Sequence, residues 1–257
     1  MLKAIFLDLD GTVYTGSKAI NGARETIRKL QEKYAVFFVS NASMRTRTEQ
    51  AQKLKTMGIH CKVDHMYNTA YATANYIKRN FPHAKVLVLS EGGLQKELKQ
   101  LRIVITNNEC AAIVATGLDT KLTFKKLTTA LRALLNGAIF IASNVDRRYP
   151  TEKGILPGSG TIAAFLEYGS EKKPMVIGKP NAYLFESILK EHRLKSSEVL
   201  VVGDNYETDI CGAHNLKIKS VLVLSGLAKK QDIKKWKVKP DYVIRSIMDL
   251  SELLACF

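Results

Sequence analysis

Asp8 and Asp10 stand at the end of an apolar run, Leu2-Lys3-Ala4-Ile5-Phe6-Leu7, and are followed by Gly11-Thr12-Val13-Tyr14. A buried strand tipped with two carboxylates leaves charge where water is scarce. An unpaired buried charge costs several kcal/mol or neutralises. Side chains two apart on a strand share a side, so Asp8 and Asp10 leave the sheet together. Gly11 permits a sharp turn that brings backbone N–H groups close to whatever the carboxylates hold. Two like charges this close need a cation between them, and hard oxygen ligands suit Mg²⁺. The same residues also fit an ordinary Asp-Gly turn in water.

Three further polar clusters follow apolar runs of strand length. Ser40-Asn41 follows Ala35–Val39, Lys179 follows Met175-Val176-Ile177, and Gly203-Asp204 with Thr208-Asp209 follows Val199–Val202. Singly, Ser40-Asn41 could cap a helix, Lys179 could be a solvated loop lysine, and Asp204 and Asp209 could bias a helix dipole. Ligands of open α/β sheets bind just outside the carboxyl ends of the strands. If these strands are parallel, all four clusters meet in one crevice, and that combination suits an anion held against a divalent cation.

The elements that would position these groups alternate. Asn21 is placed to cap a helix with Ala23, Ile27, Leu30 and Tyr34 on one face, and a second helix runs through Ala51, Leu54 and Met57. Asn68 caps a third that ends near Asn80. Phe81-Pro82-His83 then interrupts the pattern. A fresh set follows: strands at Val86–Leu89, Ile103–Ile105, Ala111–Ala115 and Ile139–Ala142, and a helix opened by Glu91-Gly92-Gly93. Thr123 caps a further helix that turns Phe124, Leu127, Leu131 and Leu134 inward, and Pro157-Gly158-Ser159-Gly160 starts another. Glu171-Lys172-Lys173-Pro174 is a polar crossing between two bodies. The pattern predicts a doubly wound, parallel-sheet α/β core from residues 1–80 and 176–257, with an inserted α/β body over 81–175.

The chain of 257 residues is 46% hydrophobic and 25% charged, ordinary proportions for a globular protein. No run approaches the length of a membrane span, and Asp8 and Asp10 interrupt the only apolar stretch near the start, so a signal peptide is not expected. Cys61, Cys110, Cys211 and Cys256 are scattered, which fits a reducing compartment and a cytoplasmic location. His60-Cys61 with His65 matches no zinc spacing. The net charge of +15 favours acidic partners. Lys229, Lys230, Lys234, Lys235, Lys237 and Lys239 cluster near the end, interleaved with Asp232, Ile233 and Trp236. No nucleic-acid-binding motif accompanies them, so a solvated face is expected and no nucleic-acid partner.

Asp8-Leu9-Asp10-Gly11-Thr12, Ser40-Asn41, Lys179 and Gly203-Asp204…Thr208-Asp209 resemble the four ordered motifs of the haloacid dehalogenase superfamily. The insertion between the second and third motifs is similar to the cap of its NagD/4-nitrophenylphosphatase-like branch, as are Ala142–Glu152, Pro157-Gly158-Ser159-Gly160 and Gly178-Lys179-Pro180. The resemblance implies a Mg²⁺-dependent phosphatase acting on a small phosphorylated metabolite. Asp8 would be the nucleophile and Asp10 the general acid and base. Mg²⁺ would be held by Asp8, the Asp10 backbone carbonyl and Asp204, with Asp209 orienting that shell.

On the same resemblance, Ser40, Asn41, Lys179 and N–H groups near Gly11 and Thr12 would cradle the phosphoryl oxygens, and Asn144 and Asp146 of the cap would touch the leaving group. Where the family often has Thr-Asn-Asn at its second motif, this chain has Ser40-Asn41-Ala42, which keeps the hydroxyl and loses one amide. A phosphate- or nucleic-acid-binding protein with a vestigial site is the rival reading, prompted by the charge. The ester hydrolysed and the oligomeric state, a homodimer among the options, stay open.

Overall fold

All four residues of the strand Ala4–Leu7 are buried, as a strand covered on both faces requires. In the computed structural model, which describes residues 1–151 and 154–255, it lies inside a six-stranded sheet. The order across that sheet is Tyr242–Ile244, Lys219–Val223, Val199–Gly203, Ala4–Leu7, Ala35–Ser40, Met66–Asn68. Neighbours pair parallel from Tyr242–Ile244 through to Ala35–Ser40. Ile5 and Leu7 from the strand join Ile27 and Leu30 from the helix Ala23–Gln31, and Leu54 from Arg47–Thr56, in one apolar core.

A second, five-stranded sheet runs in the order Met175–Val176, Ile139–Ala142, Ile113–Thr116, Val86–Leu89, Ile105–Thr106, with every pair parallel. It has its own core, in which Leu89, Val114 and Phe140 meet Leu134 of the helix Phe124–Leu135 and Leu166 of Ser159–Ser170. Two short antiparallel hairpins complete the strands, Tyr14–Thr15 with Lys18–Ala19 and Arg148–Thr151 with Gly154–Pro157. The parallel, helix-flanked architecture is the one the alternation of elements predicts.

The chain divides into two compact units, one made of Met1–Ser40, Gln50–Tyr67 and Lys179–Phe257, the other of Asn41–Glu49 and Asn68–Gly178. The division differs from the boundaries at 80/81 and 175/176. The helix Thr69–Asn80 packs on Gly93–Gln100 and so belongs to the second unit. Met175–Val176 pairs with Ile139–Ala142, so it closes the second sheet and does not reopen the first. Phe81-Pro82 ends a helix there without ending a domain.

Local signals fare unevenly. Asn68 caps its helix by accepting from Tyr71 N at 2.9 Å, and Thr123 accepts from Lys126 N at 3.2 Å. Asn21 does not cap the first helix: Gly22 takes that position in a left-handed conformation, φ 74°, where a Cβ would lie 2.7 Å from Met248. Phe124, the first residue of its helix, faces outward, 78% exposed, whereas Leu134 lies in the core and Leu127 and Leu131 pack against it. Cys61, Cys110 and Cys211 are free thiols, whereas Cys256 and Glu152 lie outside the described residues. No helix among the described residues is long and apolar enough to cross a membrane.

Candidate active site

Three polar strand ends of the first unit, together with Lys179, supply its chemistry. Lys179, 2% exposed, donates from Nζ to Asp8 Oδ1 at 2.6 Å, to Asp209 Oδ1 at 2.6 Å and to Val39 O at 3.1 Å. Asp8 extends the central strand, its N–H donating to Val202 O at 2.9 Å. Val39 and the buried Ser40 end the neighbouring strand on one side, and Gly203-Asp204 ends the strand on the other. Three segments separated by most of the chain thus meet because parallel strands deliver their carboxyl ends to the same edge.

Asp8, Asp204 and Asp209 each place one carboxylate oxygen within 4.8 Å of the others, the only such group of metal-ligating side chains among the described residues. Asp204 accepts from Leu227 N at 2.6 Å, and Gly226 and Gly11 crowd it so closely that a Cβ on either would come within 1.9 and 2.3 Å of Oδ2. Asp209 sits on Gly203, where a Cβ would meet its Cγ at 2.2 Å, and accepts from Asn205 N at 3.1 Å through Oδ2. Both Asp209 oxygens are therefore engaged by the protein, as suits a residue that orients Lys179.

Electrostatics follow from this crowding. Burial, then the charge of Asp209 and Asp204, raises the Asp8 carboxyl well above its ordinary value, against the opposing pull of Lys179. Burial and Asp209 push Asp204 up to about 7. Burial works against charge on Lys179, yet Asp209 and Asp8 outweigh it and hold the ammonium above its usual range. Three carboxylates facing one ammonium leave two negative charges over. A divalent, oxygen-seeking cation is the group this donor set fits.

Asp10 differs from Asp8. It is exposed, and its Oδ2 accepts from Tyr14 OH at 3.1 Å. The loop after it closes on itself: Gly11 N donates to Tyr14 O at 2.8 Å and Thr12 N to Leu9 O at 3.2 Å. These two N–H groups are engaged by the turn itself. Thr12 Oγ1 is fully buried, with no hydrogen-bond partner among the described residues.

The second unit holds the remaining predicted residues in a clasp of its own. Asn41 Nδ2 donates to Asp146 Oδ1 at 3.0 Å, and Asn144 Nδ2 donates to Asn41 O at 2.6 Å. Asn144 Oδ1 accepts from Asp146 N at 3.1 Å and from Ser159 Oγ. Asn144 is buried and its amide is engaged at both ends, which makes it the clasp's hub. Asp146, half-buried, fixes Asn41.

Sequence reasoning missed the Leu227 N–H, Tyr14 and Gln50. The first had a signal, because Ser225-Gly226-Leu227 follows the carboxyl end of Lys219–Val223, the edge where ligands gather.

The family of haloacid dehalogenase-like hydrolases matches residues 5–104, and a second, HAD-hydrolase-like family matches 176–250. The acid sugar phosphatase of Staphylococcus saprophyticus is 37% identical over 253 residues, 98% of this chain and 96% of its own. Among solved structures, p-nitrophenyl phosphatase from Archaeoglobus fulgidus superposes with a TM-score of 0.93 at 33% identity, covering 98% of this chain and 99% of that one. Glycerol phosphate phosphatase from Mycobacterium tuberculosis, solved in complex with magnesium, gives 0.90 at 28% identity over 97% and 76% of the two chains. NagD from Escherichia coli gives 0.88 at 28% identity over 96% and 98%. The chain belongs to the haloacid dehalogenase-like hydrolases. Within them it is a phosphatase of the NagD-like branch.

Proposed function

We propose that this phosphatase is Mg²⁺-dependent and hydrolyses small-molecule phosphate monoesters through an aspartyl-phosphate on Asp8. The observation that carries the reading is the buried Lys179 ammonium between Asp8 and Asp209, with Asp204 beside them. Asp8 attacks phosphorus through one carboxylate oxygen as the bond to the alcohol oxygen breaks. Asp10 gives that oxygen its proton, then takes one from the water that attacks the phosphoryl-aspartate, releasing phosphate and restoring Asp8. Lys179 and the Ser40 hydroxyl offset charge on the phosphoryl oxygens, and Asp209 holds Lys179 in place. The side chains of Asp8 and Asp204 and the backbone carbonyl of Asp10 would hold Mg²⁺, which supplies charge neutralisation and polarises the phosphoryl group.

Asn41, fixed by Asp146, is retained as a phosphate-binding residue, and Asn144 and Asp146 as residues of substrate choice. The free thiols fit a cytoplasmic enzyme.

A panel of phosphate esters assayed with and without Mg²⁺, reporting kcat/KM for each, tests the reading. Turnover should require the metal, and Asp8→Asn should lower it by about 10⁴-fold or more, as loss of a nucleophile does. Near-normal metal-dependent turnover by Asp8→Asn would overturn the mechanism.

A further inference from the structure

Tyr14 is 1% exposed and Gln50 is fully buried, yet their polar ends form a line to Asp10. Gln50 Nε2 donates to Tyr14 OH at 2.7 Å, and Tyr14 OH donates to Asp10 Oδ2 at 3.1 Å. The ring is held from several sides. The backbone N–H of Tyr14 donates to Leu9 O, its backbone carbonyl accepts from Gly11 N, and the Lys53 ammonium sits 3.7 Å from the ring centroid. A phenol has one proton to give. Because Gln50 donates to the phenol oxygen, that proton is left for Asp10. Turning the Gln50 amide over would direct the proton to Gln50 and set the phenol oxygen against an ionised carboxylate with no hydrogen between them. Gln50 Oε1 is buried without a partner among the described residues, a cost that packing alone does not explain.

We propose that Tyr14, oriented by Gln50, is the positioning residue of Asp10: it fixes the carboxyl rotamer and, by occupying Oδ2 as a donor, directs the transferable proton to Oδ1. The proposal rests on the reading of Asp10 as the acid that protonates the leaving group. Protonation of the leaving oxygen matters most when that oxygen is a poor leaving group and least when it departs readily as an anion. A positioning role for the acid therefore predicts a loss graded by leaving group, whereas a general disturbance of the fold or of phosphate binding lowers all substrates alike.

The test is kcat/KM across substituted phenyl phosphates, from 4-nitrophenyl to 4-methylphenyl phosphate, for wild type, Tyr14→Phe, Gln50→Leu and Asp10→Asn. Tyr14→Phe should lose less than about 3-fold on 4-nitrophenyl phosphate and about 10-fold or more on 4-methylphenyl phosphate, steepening the dependence on leaving-group pKa. Gln50→Leu should steepen it in the same direction without lowering Tm, since it removes an unsatisfied buried acceptor. Parallel plots for Tyr14→Phe and wild type would overturn the proposal. A wild-type slope in Asp10→Asn would instead overturn the role of Asp10 itself, so the two failures are distinct. If Tyr14→Phe proves too unstable to assay, the slope of Gln50→Leu decides alone.

Discussion

Lys179 counters two carboxylates at once, each 2.6 Å from its ammonium and all three side chains nearly dry. Removing one partner of a buried ion pair leaves uncompensated charge and costs about 3–5 kcal/mol. Lys179→Met should show a loss of that order in urea unfolding at neutral pH without divalent cations. Added Mg²⁺ should return part of it, because the cation relieves the same repulsion; equal losses with and without Mg²⁺ would contradict the charge account. Asp8, Lys179 and Asp204 were legible in the sequence because each is a polar residue set against an apolar run of strand length. The engagement of Gly11 and Thr12 N–H groups was not, since a glycine after two acids permits a turn without stating what the turn's own amides bind. The Leu227 N–H on Asp204 was hidden for a related reason: the contact comes from backbone, which carries no residue signature.

Between elements, Glu97 shows how a helix of the second unit is tied down. It lies in Gly93–Gln100, 3% exposed, and its Oε1 accepts from Arg47 N at 2.8 Å. Burial raises its carboxyl above 4.5, against the opposing pull of that N–H and the Arg47 charge. A carboxyl whose folded value exceeds its unfolded value contributes stability below the unfolded value and loses it as pH climbs through the folded one. Glu97→Gln keeps an acceptor and cannot ionise. Its Tm should gain on wild type as pH climbs above the ordinary carboxylate range, and parallel Tm curves would sink this account. The helices themselves were readable from caps such as Asn68 and Thr123. Their allegiance was not: the apolar face of Thr69–Asn80 says that it packs against something, not which sheet it serves. The same holds for Met175–Val176, too short to declare its partner.

For the whole molecule, the net charge of +15 favours the approach of an anion such as a phosphate ester. Long-range attraction of this kind raises encounter rates and is screened by salt, with a Debye length of about 10 Å at 0.1 M. Raising ionic strength with a monovalent salt should therefore lower kcat/KM for phosphate esters and leave kcat nearly unchanged. A kcat/KM indifferent to salt would mean that the excess lysines serve elsewhere. Filter binding of nucleic acid at physiological salt, with no turnover of any phosphate ester, would favour the rival reading of a vestigial site.

The chain passes between its two units after Ser40, after Glu49, after Tyr67 and after Gly178. Anyone wishing to graft a relative's second unit onto this first unit therefore faces two replacements, not one. Exchanging 41–178 as a block would remove Gln50 together with Leu54, Met57 and Ile59, and leave a hole in the recipient's apolar interior. A viable hybrid must exchange 41–49 and 68–178 and keep the resident stretch between them. The joints at Ser40 and Lys179 then fall beside the Asp8, Lys179 and Asp209 cluster proposed for catalysis, where a misplaced crossover would disturb that cluster first.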